Sequence, residues 1–194
     1  DDEIDGHPAS QVPELTCLAH PYSPRRVYFA YGSNLHPERL LQRVPSARVI
    51  GPAVIEGYRL AFNKRGADNS GKCNVMLAGA KARVHGALFH IDAQEKAALD
   101  RAEGGYEVRH MNVLSGGESH QAFSYIAQPQ NLVDELHPYD WYHSLVMTGG
   151  RYHDLPAAYL EQIAIHPVQC DADAERAYRN AQLFERMALN PRSA

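Results

Sequence analysis

Residues 27–35 read Val27-Tyr28-Phe29-Ala30-Tyr31-Gly32-Ser33-Asn34-Leu35. The first five are apolar or aromatic and suit a short buried strand. Gly32-Ser33-Asn34 ends it. His36-Pro37-Glu38-Arg39-Leu40-Leu41 then reads as a helix start with Pro37 at its first position. Either Asn34 or His36 can serve as the cap, and His is a poor one. A strand–turn–helix junction of this kind has two readings. It can be a plain turn in which glycine supplies a positive φ, the commoner case. It can also aim successive backbone N–H groups into one concavity, an anion site that suits a carboxylate.

Downstream of this junction, strands come first. Residues 47–63 carry apolar runs broken by Gly51-Pro52 and Gly57, consistent with two strands. The polar stretch Lys64 to Lys72 predicts a loop, and Asn74–Leu77 and Ala82–Ile91 predict two more strands. Gly86 inside the second hints at a bulge or a close backbone approach. Asp92-Ala93-Gln94-Glu95 has the form of a capping box and predicts a helix to about Ala102, stopped by Gly104-Gly105. Tyr106–Leu114 and Ala122–Ala127 flank Gly116-Gly117 and predict a hairpin. The last third is helical: Tyr139–Met147, Ala157–Ile165 and Asp171–Leu189. The third of these places Ala174, Ala177, Tyr178, Ala181, Phe184 and Ala188 on one face. Gly149-Gly150-Arg151 reads as a glycine-rich turn near a helix end. Strands first, a helix set among them and helices last indicate an α+β architecture.

Upstream, the chain changes character. Asp1, Asp2, Glu3 and Asp5 are followed by Pro8, Pro13, Pro21 and Pro24. Prolines at that density oppose regular structure, so an extended arm is expected over residues 1–25. It shows no apolar signal-peptide core. A main domain over 26–170 and a C-terminal helical segment over 171–194, packed on or flanking it, complete the expected organisation.

The whole chain has 194 residues, 44% hydrophobic and 22% charged, and can bury a core without disulfides or metals. Lys and Arg number 19 against 23 Asp and Glu, a net charge of −4, which argues against a nucleic-acid partner. No run of 18 apolar residues is present, so no helical membrane span is expected. Cys17, Cys73 and Cys170 are odd in number and widely spaced, unlike a disulfide framework or zinc site, and point to a reducing, cytoplasmic setting.

Glu103 stands out on chemical grounds. It closes its helix just before Gly104-Gly105, where the negative end of the helix dipole favours a cation. Leu99 lies four residues earlier on the same face, so a core-facing Leu99 turns Glu103 inward. Dipole and desolvation together are expected to raise its pKa, as general acid/base catalysis requires. A solvated glutamate at a frayed end is the plain alternative. The 11 tyrosines against one tryptophan supply walls with a donor at the tip, and Tyr125, Tyr139 and Tyr142 are the placed examples. The 11 histidines show no metal-ligand spacing, and His85 and His90 fall on opposite faces of one strand.

Taken together, these segments resemble the γ-glutamylcyclotransferase family. Residues 27–35 look like its signature. Leu99-Asp100-Arg101-Ala102-Glu103-Gly104 resembles its L-D-x-x-E-G motif, which holds the catalytic glutamate. Val84-His85-Gly86-Ala87-Leu88-Phe89 and Ser124-Tyr125-Ile126 are similar to two of its strands. Residues 139–159 match its tyrosine-bearing helix, a turn ending in Leu155-Pro156, and a following helix. The likeness spans roughly residues 26–167, in order. It implies a small mixed β-barrel surrounded by helices. It also implies cleavage of a γ-glutamyl amide to 5-oxoproline and a free amine, without metal or cofactor. Glu103 would be the acid/base. Gly32, Ser33, Asn34 and Leu35 would bind an anionic part of the substrate, Tyr31 would shape the turn, and Tyr125 and Tyr142 would line the pocket. The partner implied is a small γ-glutamyl molecule, with no nucleic acid or membrane; oligomeric state stays open, a homodimer included. The Y-G-S-N form sets the chain apart from the Y-G-S-L glutathione-degrading branch. Two alternatives share the fold: a non-catalytic small-molecule binding module, and an enzyme that removes a γ-glutamyl protecting group from a specialised metabolite.

Overall fold

A computed structural model describes residues 24–189; the expected acidic arm lies almost wholly outside them. Five strands close into a barrel in the order β1-β5-β2-β6-β7. These are β1 (Arg25–Ala30), β2 (Arg48–Glu56), β5 (Arg83–Asp92), β6 (Tyr106–Ser115) and β7 (Glu118–Ala127). β3 (Tyr58–Arg65) and β4 (Gly71–Leu77) pair separately as a two-stranded sheet. β1 runs antiparallel to β5, from Arg25 opposite Asp92 to Ala30 opposite Ala87. On its other side it runs parallel to β7, with Tyr28 opposite Phe123. That parallel seam makes the barrel mixed and leaves β1 without a free edge. Phe29, Phe89, Phe123, Leu88, Ile55 and Val84 are buried in its core. The predicted hairpin forms, with Ser115 opposite Glu118 and the two glycines as its turn.

Among the described residues, five α-helices join the strands: α1 (Pro37–Leu41), α2 (Lys96–Ala102), α3 (Asp140–Tyr152), α4 (Ala157–Ala164) and α5 (Ala174–Leu189), with one 3-10 turn at Pro129–Asn131. Three local expectations need correction. The capping box does not form: Asp92 ends β5, and Glu95 is the N-cap of α2 without a side-chain bond to it. The Glu95 carboxylate instead accepts from Ser46 N–H at 2.9 Å, and Ser46 Oγ accepts from Asp92 N–H at 2.9 Å. A tertiary tie between α2 and the segment entering β2 has taken both polar groups. Gly149 and Gly150 lie inside α3 rather than in a turn. A Cβ on Gly149 would fall 2.4 Å from Leu35 Cβ and 2.8 Å from His36 N, so glycine lets α3 touch the segment entering α1.

The buried face of α5 also differs from the one expected. Asn180, Leu183 and Met187 face inward, with Leu183 and Met187 packed on Leu145 of α3, whereas Ala174, Tyr178, Ala181 and Ala188 are exposed. Leucine and methionine hide more apolar area than alanine, and they set the rotation. At Gly86 the close approach holds, since a Cβ there would lie 2.2 Å from Ala30 O. The irregularity in the β2–β5 pairing falls instead between Val49 and Gly51. Among the described residues, no helix is long and apolar enough to cross a membrane.

Candidate active site

At the end of β1 the chain turns through Gly32, Ser33 and Asn34 toward α1. His36, not Asn34, is the N-cap, its Nδ1 accepting from Glu38 N–H at 3.2 Å. This releases the Asn34 side chain for another task. Gly32 is not in the left-handed region, so the plain-turn account of it fails. A Cβ there would press on Cys73 Cβ at 3.0 Å, so glycine is needed for the close approach of β4. Leu35 N–H closes the turn by donating to Gly32 C=O at 3.0 Å. Among the described residues, no acceptor takes the N–H groups of Gly32, Ser33 or Asn34.

Glu103 faces this turn across a narrow cleft. It is the C-cap of α2, and Leu99 one turn earlier is fully buried, so the shared-face argument places the carboxyl inward. Its side chain is 15% exposed. Oε1 accepts from Asn34 Nδ2 at 2.8 Å and from Arg43 Nη1 at 2.9 Å. Arg43 Nη1 also donates to Asn34 Oδ1 at 3.0 Å, and Asn34 Nδ2 donates to Tyr28 Oη at 3.1 Å. The Asn34 amide is thereby oriented: a flip would set its oxygen against the carboxylate and its nitrogen against the guanidinium. Both bonds to the carboxylate fall on Oε1, and Oε2 has no hydrogen-bond partner among the described residues.

The cleft, about 290 Å³, is walled by tyrosines with distinct duties. Tyr28 accepts from Asn34 and keeps its own proton available to a guest. Burial first, and the Glu103 carboxylate second, push its pKa well above the usual phenol range, so it stays a donor. Tyr31 donates to Tyr125 C=O, bracing β1 against β7. Tyr125 donates to Asp100 Oδ1 at 2.6 Å, which ties β7 to α2. Tyr142 Oη accepts from Cys73 N–H at 3.0 Å, and Tyr106 Oη donates to Cys73 C=O at 2.7 Å. The last two tyrosines satisfy both backbone groups of Cys73 and fix β4 behind the turn. Burial pushes the Cys73 thiol up to about 12, which keeps it protonated and unreactive at neutral pH.

Of the residues picked from the sequence, Tyr31, Gly32, Ser33, Asn34, Glu103, Tyr125 and Tyr142 all line this cleft. Leu35 does not: its N–H is engaged, and its side chain is buried against the α3 glycine. Sequence reasoning missed Tyr28, Cys73, Tyr106 and Arg43. The first was read only as part of an apolar strand. The others owe their positions to long-range contacts, and no local spacing marks them.

This arrangement can be set beside known proteins. No curated protein matches the sequence. A solved structure named Gamma-glutamyl cyclotransferase superposes with a TM-score of 0.72 at 22% identity, covering 81% of this chain and 99% of that one. The uncharacterized protein loc79017 from Homo sapiens gives 0.69 at 24%, covering 80% and 98%. YkqA from Bacillus subtilis gives 0.65 at 20%, covering 75% of this chain and 56% of the other. At such identities the likeness speaks to the fold. The model of the family "Gamma-glutamyl cyclotransferase, AIG2-like" matches residues 28–144, more than half of the chain, from the strand entering the turn to the helix carrying Tyr142. With the turn, Arg43 and Glu103 all inside that match, the chain belongs to the γ-glutamyl cyclotransferase, AIG2-like family.

Proposed function

We propose that the protein converts a γ-glutamyl amide to 5-oxoproline and a free amine, with Glu103 as the acid/base. The reading rests on one observation: among the described residues, a carboxylate oxygen without a hydrogen-bond partner and three residues whose backbone N–H groups are unengaged line one narrow cleft. The permanent negative charge of a γ-glutamyl group is its α-carboxylate, and the turn N–H groups suit it. That anchor holds the α-nitrogen and γ-carbonyl in the same small space.

The α-amine is mostly protonated at neutral pH and cannot attack. Glu103 Oε2 takes a proton from it, and the nitrogen attacks the γ-carbonyl carbon to close a five-membered lactam. The bond from that carbon to the amide nitrogen then breaks, and Glu103 hands its proton to the departing nitrogen. In all, the α-nitrogen loses two protons and the leaving amine gains two, so the ion balance is unchanged. Holding both ends of the reaction in one molecule is worth roughly 10⁵–10⁸ M in effective concentration. Tyr28 O–H is a suitable donor to the oxygen that becomes negative during attack.

Glu103→Gln keeps the shape and removes the base. It is expected to lower 5-oxoproline release by roughly 10²–10⁴-fold or more while leaving the melting temperature near that of the parent. Product assay and thermal melts on the same samples check this. A glutamine variant as active as the parent would overturn the assignment.

A further inference from the structure

The Glu103 cleft adjoins a second recess of about 800 Å³, and Ser33, Glu103, Tyr106 and Tyr142 line both. The recess is also walled by Arg39, Arg43, Lys64, Lys72 and Arg101, while Glu103 is its one acidic wall among the described residues. Five cations in one recess are not a consequence of composition, because the chain as a whole carries −4.

Two of the five are committed. Arg43 pairs with Glu103 at 2.9 Å and Lys72 with Asp68 at 2.8 Å. Arg39, Lys64 and Arg101 make no ion pair with a carboxylate among the described residues; Arg101 is exposed, while Glu103 acts on Arg39 and Lys64 from a distance and Asp68 on Lys64. Lys64 is only 6% exposed; its Nζ donates to Gly104 C=O at 2.7 Å and sits 4.7 Å above the Tyr106 ring. Arg39 Nε is buried without a hydrogen-bond partner. Withdrawing a cation from water without a carboxylate in contact is unfavourable, and an arriving anion offsets that loss.

On the cyclotransferase reading above, on which this inference rests, the γ-glutamyl half occupies the narrow cleft. The departing amine must then lie beyond Glu103, where the recess begins. We infer that the recess is the leaving-group subsite, and that Arg39 and Lys64 select γ-glutamyl amides whose departing amine is an acidic amino acid. Such a group brings two carboxylates to Arg39 and Lys64, neither of which is held in an ion pair. A departing amine with a further positive charge meets repulsion instead.

γ-Glutamyl-glutamate and γ-glutamyl-glutamine differ by one charge at nearly equal shape and provide the test, with release of 5-oxoproline from the full chain as readout. The expected kcat/KM is at least tenfold higher for γ-glutamyl-glutamate, carried mainly by KM. The preference shrinks as salt rises from about 50 to about 500 mM, since ions screen the contact. Arg39→Gln and Lys64→Gln each bring the ratio toward one, and Lys64→Arg restores it. If Lys64→Gln does not fold, Arg39→Gln and the salt series on the parent still decide. Product formed without charge preference, or a preference that survives both glutamine variants, overturns this inference and leaves the cyclotransferase reading intact. No product from either substrate or from γ-glutamyl-alanine overturns both.

Discussion

Asn34 is the residue on which the candidate site depends most. Its Nδ2 donates to Glu103 and Tyr28 while its Oδ1 accepts from Arg43, so one amide holds the carboxylate, a phenol and a guanidinium in register. Hydrogen bonds to charged groups contribute about 1.5–3 kcal/mol each. Asn34→Asp exchanges a donor to Glu103 for a like charge. We expect kcat for 5-oxoproline release to fall roughly ten- to hundredfold, with a smaller change in KM. Steady-state kinetics beside the parent check it, and an unchanged kcat would show that Asn34 does not position Glu103. Glu103 was legible as a candidate because its place at a helix end runs against the dipole. Arg43 was not, because its partner lies 60 residues away. The helix-end argument lacked that guanidinium, and with it the contact that holds Oε1 and leaves Oε2 to the cleft.

Between elements, the contact that sets the turn is the crossing of α3 over the segment that leads into α1. Gly149 brings the two together, and His153 Nε2 lies 2.8 Å from Leu35 C=O. Gly149→Ala removes a flexible glycine from a helix, which by itself is favourable by roughly 0.5–1 kcal/mol. Here the added methyl meets Leu35 Cβ at 2.4 Å, a backbone-tethered atom that cannot step aside. The net expectation is a loss of about 1–3 kcal/mol in a denaturant melt, with reduced turnover because the turn is displaced. A stabilised variant would refute the close-approach account. Strand and helix order were readable from periodicity, and so was the hairpin from its glycine pair. The capping box misled because Glu95 and Asp92 found partners at Ser46, outside the helix they should have served. Local spacing lists what a side chain can do, and tertiary neighbours decide which option it takes.

Over the whole molecule, packing sets how stability responds to pH. His36 is buried where the turn, α1 and α3 meet, and burial lowers its pKa from 6.5 to about 4. Glu38 opposes that shift and His153 adds to it. The folded chain therefore holds His36 neutral where the unfolded chain protonates it. Its contribution is complete above pH 6.5 and is lost as pH falls toward about 4. His36→Asn keeps a capping acceptor and removes the titration. The parent should lose melting temperature more steeply than this variant across that window, and parallel curves would exclude the effect.

The sequence alone determined the strand, the turn and the order of elements, because these depend on residues close together in the chain. It also determined the lone glutamate at a helix end, the resemblance and the barrel that the resemblance implies. Only the tertiary structure decided that β1 closes the barrel against β7, that Asn34 serves Glu103 instead of a helix, and that Arg39 and Lys64, outside any ion pair, line the recess beside the cleft. Those outcomes depend on which distant groups meet under close packing, and burial sets their energies only after the chain has closed on itself.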